Sequence, residues 1–439
     1  MRSLAGARER SMGMVLMLGL AAAALVVPAP AALAAPLDTL KFEPPHSDDD
    51  PDSELRLLDH EILLHYDPNS DSWLLAPFRS PLSATPEAWP LRHPGESDIG
   101  LALDYNRVDE LRGGLTYQAQ APWEMAPRLG ARLEYATARR RWLYGAQVEQ
   151  PLERGNRVAV GFSLSRRTEH IELQQVGDLE NSLALLFGRQ DYRDYFEREG
   201  VGGYLALRWP GVTTLSLQGR NDRYRSVETL ASTHSWFHRD RPLRENPPIE
   251  EGEAHVAAVR LERVHPGEVG FHHWIELEGA GSGLGGDFRY RRLLGDLRNI
   301  VRLSPAMTLS VRGVCGTTLG GHLPPQRGFT VGGVDGLRAH SFAAFRGDQV
   351  ALGQLEYSAA IGRFHTGEFE NGLHAVMFVD SGRAWSNPDH DWDVGGQRFA
   401  VDGGFGLSTA EDNLRIYFAK NLQEPDSDFV ISARIQRPF

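Results

Sequence analysis

From Asp98 onward, apolar and polar residues alternate one for one along most of this chain, as in extended strands whose two faces meet different surroundings. Between 128 and 135, Leu129, Ala131, Leu133 and Tyr135 share one face, with Arg132 and Glu134 between them. Trp142, Tyr144, Ala146 and Val148 repeat the pattern, and so do Val158, Val160, Phe162 and Leu164. Near the end, Phe429, Ile431, Ala433 and Ile435 alternate with Ser432, Arg434 and Gln436. A soluble sandwich alternates too. Its apolar face is bulky core, however, and its strands rarely combine interior Arg and Glu with interfacial Trp and Tyr in this way. The pattern predicts an all-β fold, a transmembrane antiparallel β-barrel.

About sixteen segments have the length that a tilted strand needs to cross a bilayer, from Ile99–Tyr105 to Phe429–Pro438. An even number lets both ends face the periplasm. The connections are unequal in the expected sense. Leu152–Asn156, Pro210–Val212 and Ala410–Asn413 are short and follow even-numbered segments. Arg166–Val201, Tyr224–Glu253, Thr318–Gln349 and Ser381–Ala400 are long, and each follows an odd-numbered one, as outer loops do. The first segment is short and Pro438 removes a backbone donor from the last, so the seam between them is expected to hold few hydrogen bonds.

Composition fits this picture. Arg2, Arg8 and Arg10, an apolar run over 12–27 and the Ala32-Leu33-Ala34 site mark residues 1–34 as a secretory signal. No later apolar run reaches the roughly 18 residues of a transmembrane helix. A mean hydropathy of −0.36 with 41% hydrophobic residues looks soluble, but lipid-facing and lumen-facing residues cancel in any average over a barrel strand. Residues 1–34 carry three arginines against one glutamate, so their removal takes the formal net charge from −12 to −14. That charge argues against nucleic acid as a partner. Cys315 is the single cysteine, which excludes an internal disulfide and a lipid anchor at the cleavage site. Residues 35–97 form an acidic, proline-rich segment expected in the periplasm. Its Asp48-Asp49-Asp50 run lacks the glycine and terminal glutamate of a calcium loop and reads as solvated.

Several motifs stand out within 98–439. They are FTVGGVDGLRAHSFAAFRGDQVALGQLEYSAAIGRF over 329–364, FVDSG over 378–382, Tyr105-Asn106-Arg107-Val108, and DYFEREG over 194–200. Gly404-Phe405-Gly406-Leu407 and the closing Arg437-Pro438-Phe439 complete the set. Together they resemble the bacterial surface antigen superfamily of outer-membrane barrels, which holds the BamA/TamA assembly factors and the two-partner secretion transporters. The resemblance implies that the loop between the eleventh and twelfth strands folds into the lumen, where an arginine at its tip meets carboxylates of the barrel wall. The strand count independently puts 318–349 in that position. Carried over, Arg338 is the tip arginine, Glu356 and Asp380 are the wall carboxylates, and Gly332, Gly333 and Gly336 are the loop glycines. Phe439 is the terminal aromatic read as an assembly signal. Ala339-His340 departs from the glycine and aromatic that the family places after the arginine.

The resemblance further implies the bacterial outer membrane as the location and a role in outer-membrane protein or lipid biogenesis or translocation. Its implied partners are outer-membrane lipid, the barrel assembly machinery during biogenesis, and a separate periplasmic protein. Residues 35–97 are too short for a polypeptide-transport-associated domain, so the expected organisation is signal, periplasmic segment and barrel alone. A passive pore or structural barrel is the alternative reading. No enzyme, metal site or cofactor is expected. The sequence has no G-x-S-x-G elbow and no H-E-x-x-H pair. His272 and His273 point to opposite faces of a strand, and Asp389-His390-Asp391 reads as a solvated loop.

Overall fold

Along much of the sheet large apolar residues face outward and most charged ones are buried, an inversion of the usual soluble arrangement. Within β3 (Arg128–Ala136), Leu129 and Leu133 are 45% and 51% exposed, while Arg132 and Glu134 are buried. In a barrel surrounded by hydrocarbon this is the stable arrangement, because lipid takes the apolar face and the lumen pairs the charges.

The computed structural model describes residues 95, 97–123, 125–209, 213–230, 233–238, 241–264, 270–281, 283–366, 369–387, 392–409 and 414–435. Residues 1–34, almost all of 35–97, Asp389-His390-Asp391, Pro438 and Phe439 lie outside the described residues.

Sixteen strands form one antiparallel sheet in chain order. The first half comprises β1 (Ser97–Asn106), β2 (Glu110–Gln120), β3, β4 (Arg141–Pro151), β5 (Val158–His170), β6 (Tyr195–Trp209), β7 (Thr213–Ser226) and β8 (Gly252–Val264). It continues through β9 (Gly270–Ala280), β10 (Tyr290–Ser304) and β11 (Met307–Gly321). Two short strands, β12 (Phe329–Val331) and β13 (Phe345–Gly347), pair only with each other inside the following loop. The sheet resumes with β14 (Gln349–Thr366), β15 (Phe369–Trp385), β16 (Ala400–Thr409), β17 (Arg415–Asn421) and β18 (Val430–Arg434). Each inner strand pairs with both neighbours. Among the described residues, β1 pairs only with β2, and β18 only with β17.

One expectation changes here. The first strand spans ten residues, so it is not short; the brief strand is β18, with five. The loop after β5 contains α1 (Asp178–Gly188). In that helix Leu179, Leu183, Leu186 and Phe187 recur at helical spacing, whereas a strand would place them on mixed faces. The β14–β15 hairpin also runs well past the apolar part of its segments. Its ladder runs from Gln349↔Trp385 to Thr366↔Phe369.

Loops on the side of the long connections are numbered L1 to L8. L1 (107–109) is an Asx turn, in which the Asn106 side-chain oxygen accepts the N–H groups of Val108 and Asp109 at 3.0 and 2.7 Å. L3 (171–194), L4 (227–251) and L6 (322–348) are long and fold over and into the barrel.

The outward-apolar assignment makes a direct prediction. Leu133→Arg places a charge against lipid and should destabilise the barrel by about 2–4 kcal/mol in a urea titration in vesicles. A change within about 0.5 kcal/mol, the usual range for a water-exposed site, would contradict the lipid-facing assignment.

Candidate functional site

L6 is drawn into a narrow hairpin by the β12–β13 ladder, which pairs Phe329 with Gly347 and Val331 with Phe345. Beyond the ladder the chain turns on Gly332 and Gly333, at φ +123° and +96°. A Cβ on Gly332 would lie 2.5 Å from the Ser341 carbonyl oxygen, so both backbone angle and space require glycine there. The Gly333 N–H donates to the Leu337 and His340 carbonyls at 3.1 and 3.2 Å, closing the tip. Gly336 serves differently. Its backbone angle is ordinary, but its bare Cα lets the chain pass Gly332 closely. The left-handed turn that follows the arginine falls on Ala343, at φ +49°, so Ala339 stands where alanine is tolerated.

The hairpin delivers Arg338 to the inner wall, fully buried. Its Nε and Nη2 donate to the two oxygens of Asp380 at 2.9 and 3.0 Å, a bidentate fork. Nη1 donates to Glu356 Oε2 at 2.7 Å. The guanidinium carbon lies 3.8 Å from the Phe378 ring centre and 4.6 Å from that of Tyr417, so aromatic faces cover the plane that the carboxylates leave open. Glu356 is shared with Arg415 and with the Tyr417 hydroxyl, which donates to it at 3.0 Å. Gln354 joins loop to wall, donating to the Gly336 carbonyl at 2.9 Å and to Asp380 at 3.3 Å. On the next strand, Asp402 accepts the Ala339 N–H at 2.7 Å and pairs with His340 at 3.0 Å. Thus His340 at the departing position forms a polar contact to β16. The Gly404-x-Gly406 stretch has a steric role: a Cβ on Gly404 would fall 2.7 Å from the Phe378 ring, which packs under the arginine.

These contacts follow from alternation. Phe378 and Asp380 lie inward on β15 while Met377 is 59% exposed, and Glu356 lies inward on β14. The structure therefore brings together Arg338, Glu356 and Asp380, with Gly332, Gly333 and Gly336 forming the turn that carries the arginine.

Sequence reasoning did not single out Asp402, Arg415, Tyr417 or Gln354 for this socket. Arg415 and Tyr417 share the inward face of β17, so period-two counting from Ile416 would have exposed them. Also missed was a second buried arginine. Arg107, the first residue of L1, donates to the Arg193 carbonyl at 2.6 Å and to Asn246 at 3.1 Å. It pairs with Asp191 at 3.1 Å and Asp194 at 3.2 Å. It thereby ties L1, L3 and L4 together. Asp194 also receives Arg244 and, from L6, Arg346 at 2.7 Å. Burial works against ionisation of Asp194, but Arg244 and Arg346 outweigh it and hold the carboxyl below the ordinary aspartate range. L3 reaches L6 directly as well. The Gln175 N–H donates to Asp335 at 2.6 Å, and its side chain accepts from Arg312 at 3.1 Å. Among the described residues no cluster of His, Cys, Asp and Glu suits a metal ion.

Two outcomes are expected. Arg338→Ala leaves Asp380 with Gln354 as a neutral donor and should cost about 3–5 kcal/mol in urea unfolding, an upper figure if water enters the lumen. Arg338→Lys keeps the charge but not the fork and should recover less than half of that loss; full recovery would show that the bidentate geometry is unimportant. The Asp194 pairing stabilises the loops fully above the unfolded aspartate value near 3.9, and is lost as pH falls through the depressed folded value. Exchange protection of L3 and L4 amides, corrected for intrinsic rates, should fall between pH 7 and pH 3. Asp194→Asn should show the low protection already at pH 7; unchanged protection in both cases would remove Asp194 as the hub.

No family model matches the sequence, and no curated protein matches it. Among solved structures, BamA from Haemophilus ducreyi lacking POTRA domains 1-3 aligns with a TM-score of 0.51 at 14% identity, over 77% of this chain and 70% of that one. CdiB from Acinetobacter baumannii aligns at 0.41 with 15% identity, and CdiB from Escherichia coli at 0.45 with 11%. Each of these alignments covers 77% of this chain, which spans 58% and 62% of the two CdiB chains. The BamA alignment carries the fold. With its sixteen-stranded antiparallel sheet and outward apolar faces, the chain has the fold of a BamA-type outer-membrane β-barrel.

Proposed function

We propose that this protein works in outer-membrane protein or lipid biogenesis or translocation, as a barrel whose lumen is occupied by its own loops. The carrying observation is that L6 is tied to the inner wall through Arg338, Asp380 and Glu356 while L3 reaches L6 through Gln175 and Asp335. A steady aqueous pore needs an open bore. Here the mid-barrel charges are satisfied by loop residues rather than left to water and ions. In this reading residues 1–34 direct export, 35–97 face the periplasm as the surface for a separate partner, and 98–439 form the barrel. Phe439 serves recognition by the assembly machinery. The barrel acts by moving clients along its wall and seam; it catalyses no bond chemistry and uses no cofactor.

Planar bilayer recordings separate this from the passive pore. The native protein should give small, flickering currents, and Arg338→Ala should raise the mean conductance severalfold by releasing L6. A large, steady conductance in the native protein would establish the pore reading in its place.

A further inference from the structure

The sheet ends on two strands that do not pair with each other among the described residues, and α1 lies where they would meet. The Tyr105 N–H of β1 donates to the Ser182 hydroxyl of α1 at 2.9 Å. In an antiparallel strand an N–H turned away from its one partner points to the free edge, so Ser182 sits on the open side of β1. Ser182 also donates to Asp104 at 3.2 Å. Two residues earlier, Glu180 pairs with Arg434 of β18 at 2.6 Å, and the Ile435 N–H faces the same carboxylate. One helix thus contacts both edges of the seam. Its far end is held from L4, where Ser235 and Trp236 donate to the Leu185 and Leu186 carbonyls at 2.8 and 2.6 Å. Both carbonyls belong to the last turn of the helix, where Leu185 also accepts the N–H of the C-cap residue Arg189 at 3.1 Å.

The helix has two faces. Glu180, Asn181, Ser182 and Leu185 are buried toward the barrel, whereas Leu179 and Phe187 are 44% and 41% exposed on the opposite side, with Leu183 and Leu186 beside them. Phe187 lies 4.9 Å from Trp236 and 6.2 Å from Phe237, ring centre to ring centre, and both of those rings are more than half exposed. A water-facing helix would carry charge on that face. Flanking the seam, Leu101 and Leu103 of β1 and Ile431 of β18 are the exposed residues of the apolar belt. The stripe on α1 continues that belt between them.

We propose that α1 is a wall element of the barrel, a wedge between the first and last strands whose Leu179–Leu183–Leu186–Phe187 stripe binds the acyl chains of the outer leaflet. The edge of β1 is therefore covered by a helix that a client strand or lipid can displace by exchanging side-chain hydrogen bonds rather than a full strand ladder. This rests on the barrel lying in lipid, as proposed above.

The test uses the full chain with Cys315→Ser, carrying one fluorescent thiol label at a time, in phosphatidylcholine vesicles with brominated or unbrominated acyl chains. A label at Leu183→Cys should be quenched by brominated chains at least half as strongly as one at Leu103→Cys on the belt. A label at Glu424→Cys, exposed in L8 (422–429), should respond to aqueous iodide instead. Quenching at 103 with iodide accessibility at 183 overturns the wedge while leaving the barrel intact. Absence of acyl-chain quenching at both overturns the barrel in lipid and the wedge with it. Glu180→Ala with Ser182→Ala should speed exchange of the Tyr105 amide by about tenfold in the folded protein. An unchanged rate would show that α1 does not cover the edge.

Discussion

In hydrocarbon an unpaired backbone N–H or C=O costs several kcal/mol, because no water is present to take the hydrogen bond. Fourteen of the sixteen barrel strands meet this demand through ladders on both sides, and among the described residues the two terminal strands meet it on one side only. The architecture follows from how that remaining demand is handled. Side chains of α1 take over at the seam, with Ser182 on one edge and Glu180 on the other. A side-chain stitch satisfies fewer backbone groups than a ladder and is separable without unravelling either neighbouring hairpin. The wall is therefore weakest at one defined place.

The lumen poses the complementary problem. Alternation that turns Leu and Phe to lipid also turns Arg, Glu and Asp inward, and buried charges are tolerated only when paired. The wall solves part of this within itself, as where Asp296 receives both Arg298 and Arg312 at 2.7 and 2.8 Å. The remainder is solved by loops. Arg338 enters from L6 to meet Asp380 and Glu356, and Glu172 enters from L3 to meet Arg292 at 2.8 Å. Such pairs add modest net stability against an apolar alternative, yet removing one member leaves the other stranded. Their effect is to specify one loop arrangement out of many of similar compactness.

Arg338 and Arg107 divide the work by position. Arg338 locks L6 at the wall of β14 and β15, whereas Arg107 gathers L1, L3 and L4 at the rim through Asp191, Asp194 and Asn246. Asp194 links the two systems, since Arg346 at the base of L6 reaches it. L3 belongs to both: it holds Arg107's partners at one end, Gln175 at the lumen contact, and α1 at the seam. Movement of the helix out of the wall is thus coupled physically to the loops that fill the bore.

Period two was enough to determine, from sequence alone, the barrel, its sixteen strands and the face each side chain takes, because a strand's side-chain direction depends only on position parity. Loop length determined which end carries the large connections. Resemblance in the motifs named Arg338, Glu356 and Asp380, residues 18 to 42 positions apart in the chain that stand within hydrogen-bonding distance in the structure. Only tertiary structure decided the partners of Arg107, the sharing of Glu356 among Arg338, Arg415 and Tyr417, and the placing of α1 between β1 and β18. Those contacts join residues separated by up to 254 positions, as with Glu180 and Arg434. No local periodicity encodes which distant charge fills a given lumen site, because the choice is made by the closing of the sheet around the loops and not by the strand on which either residue lies.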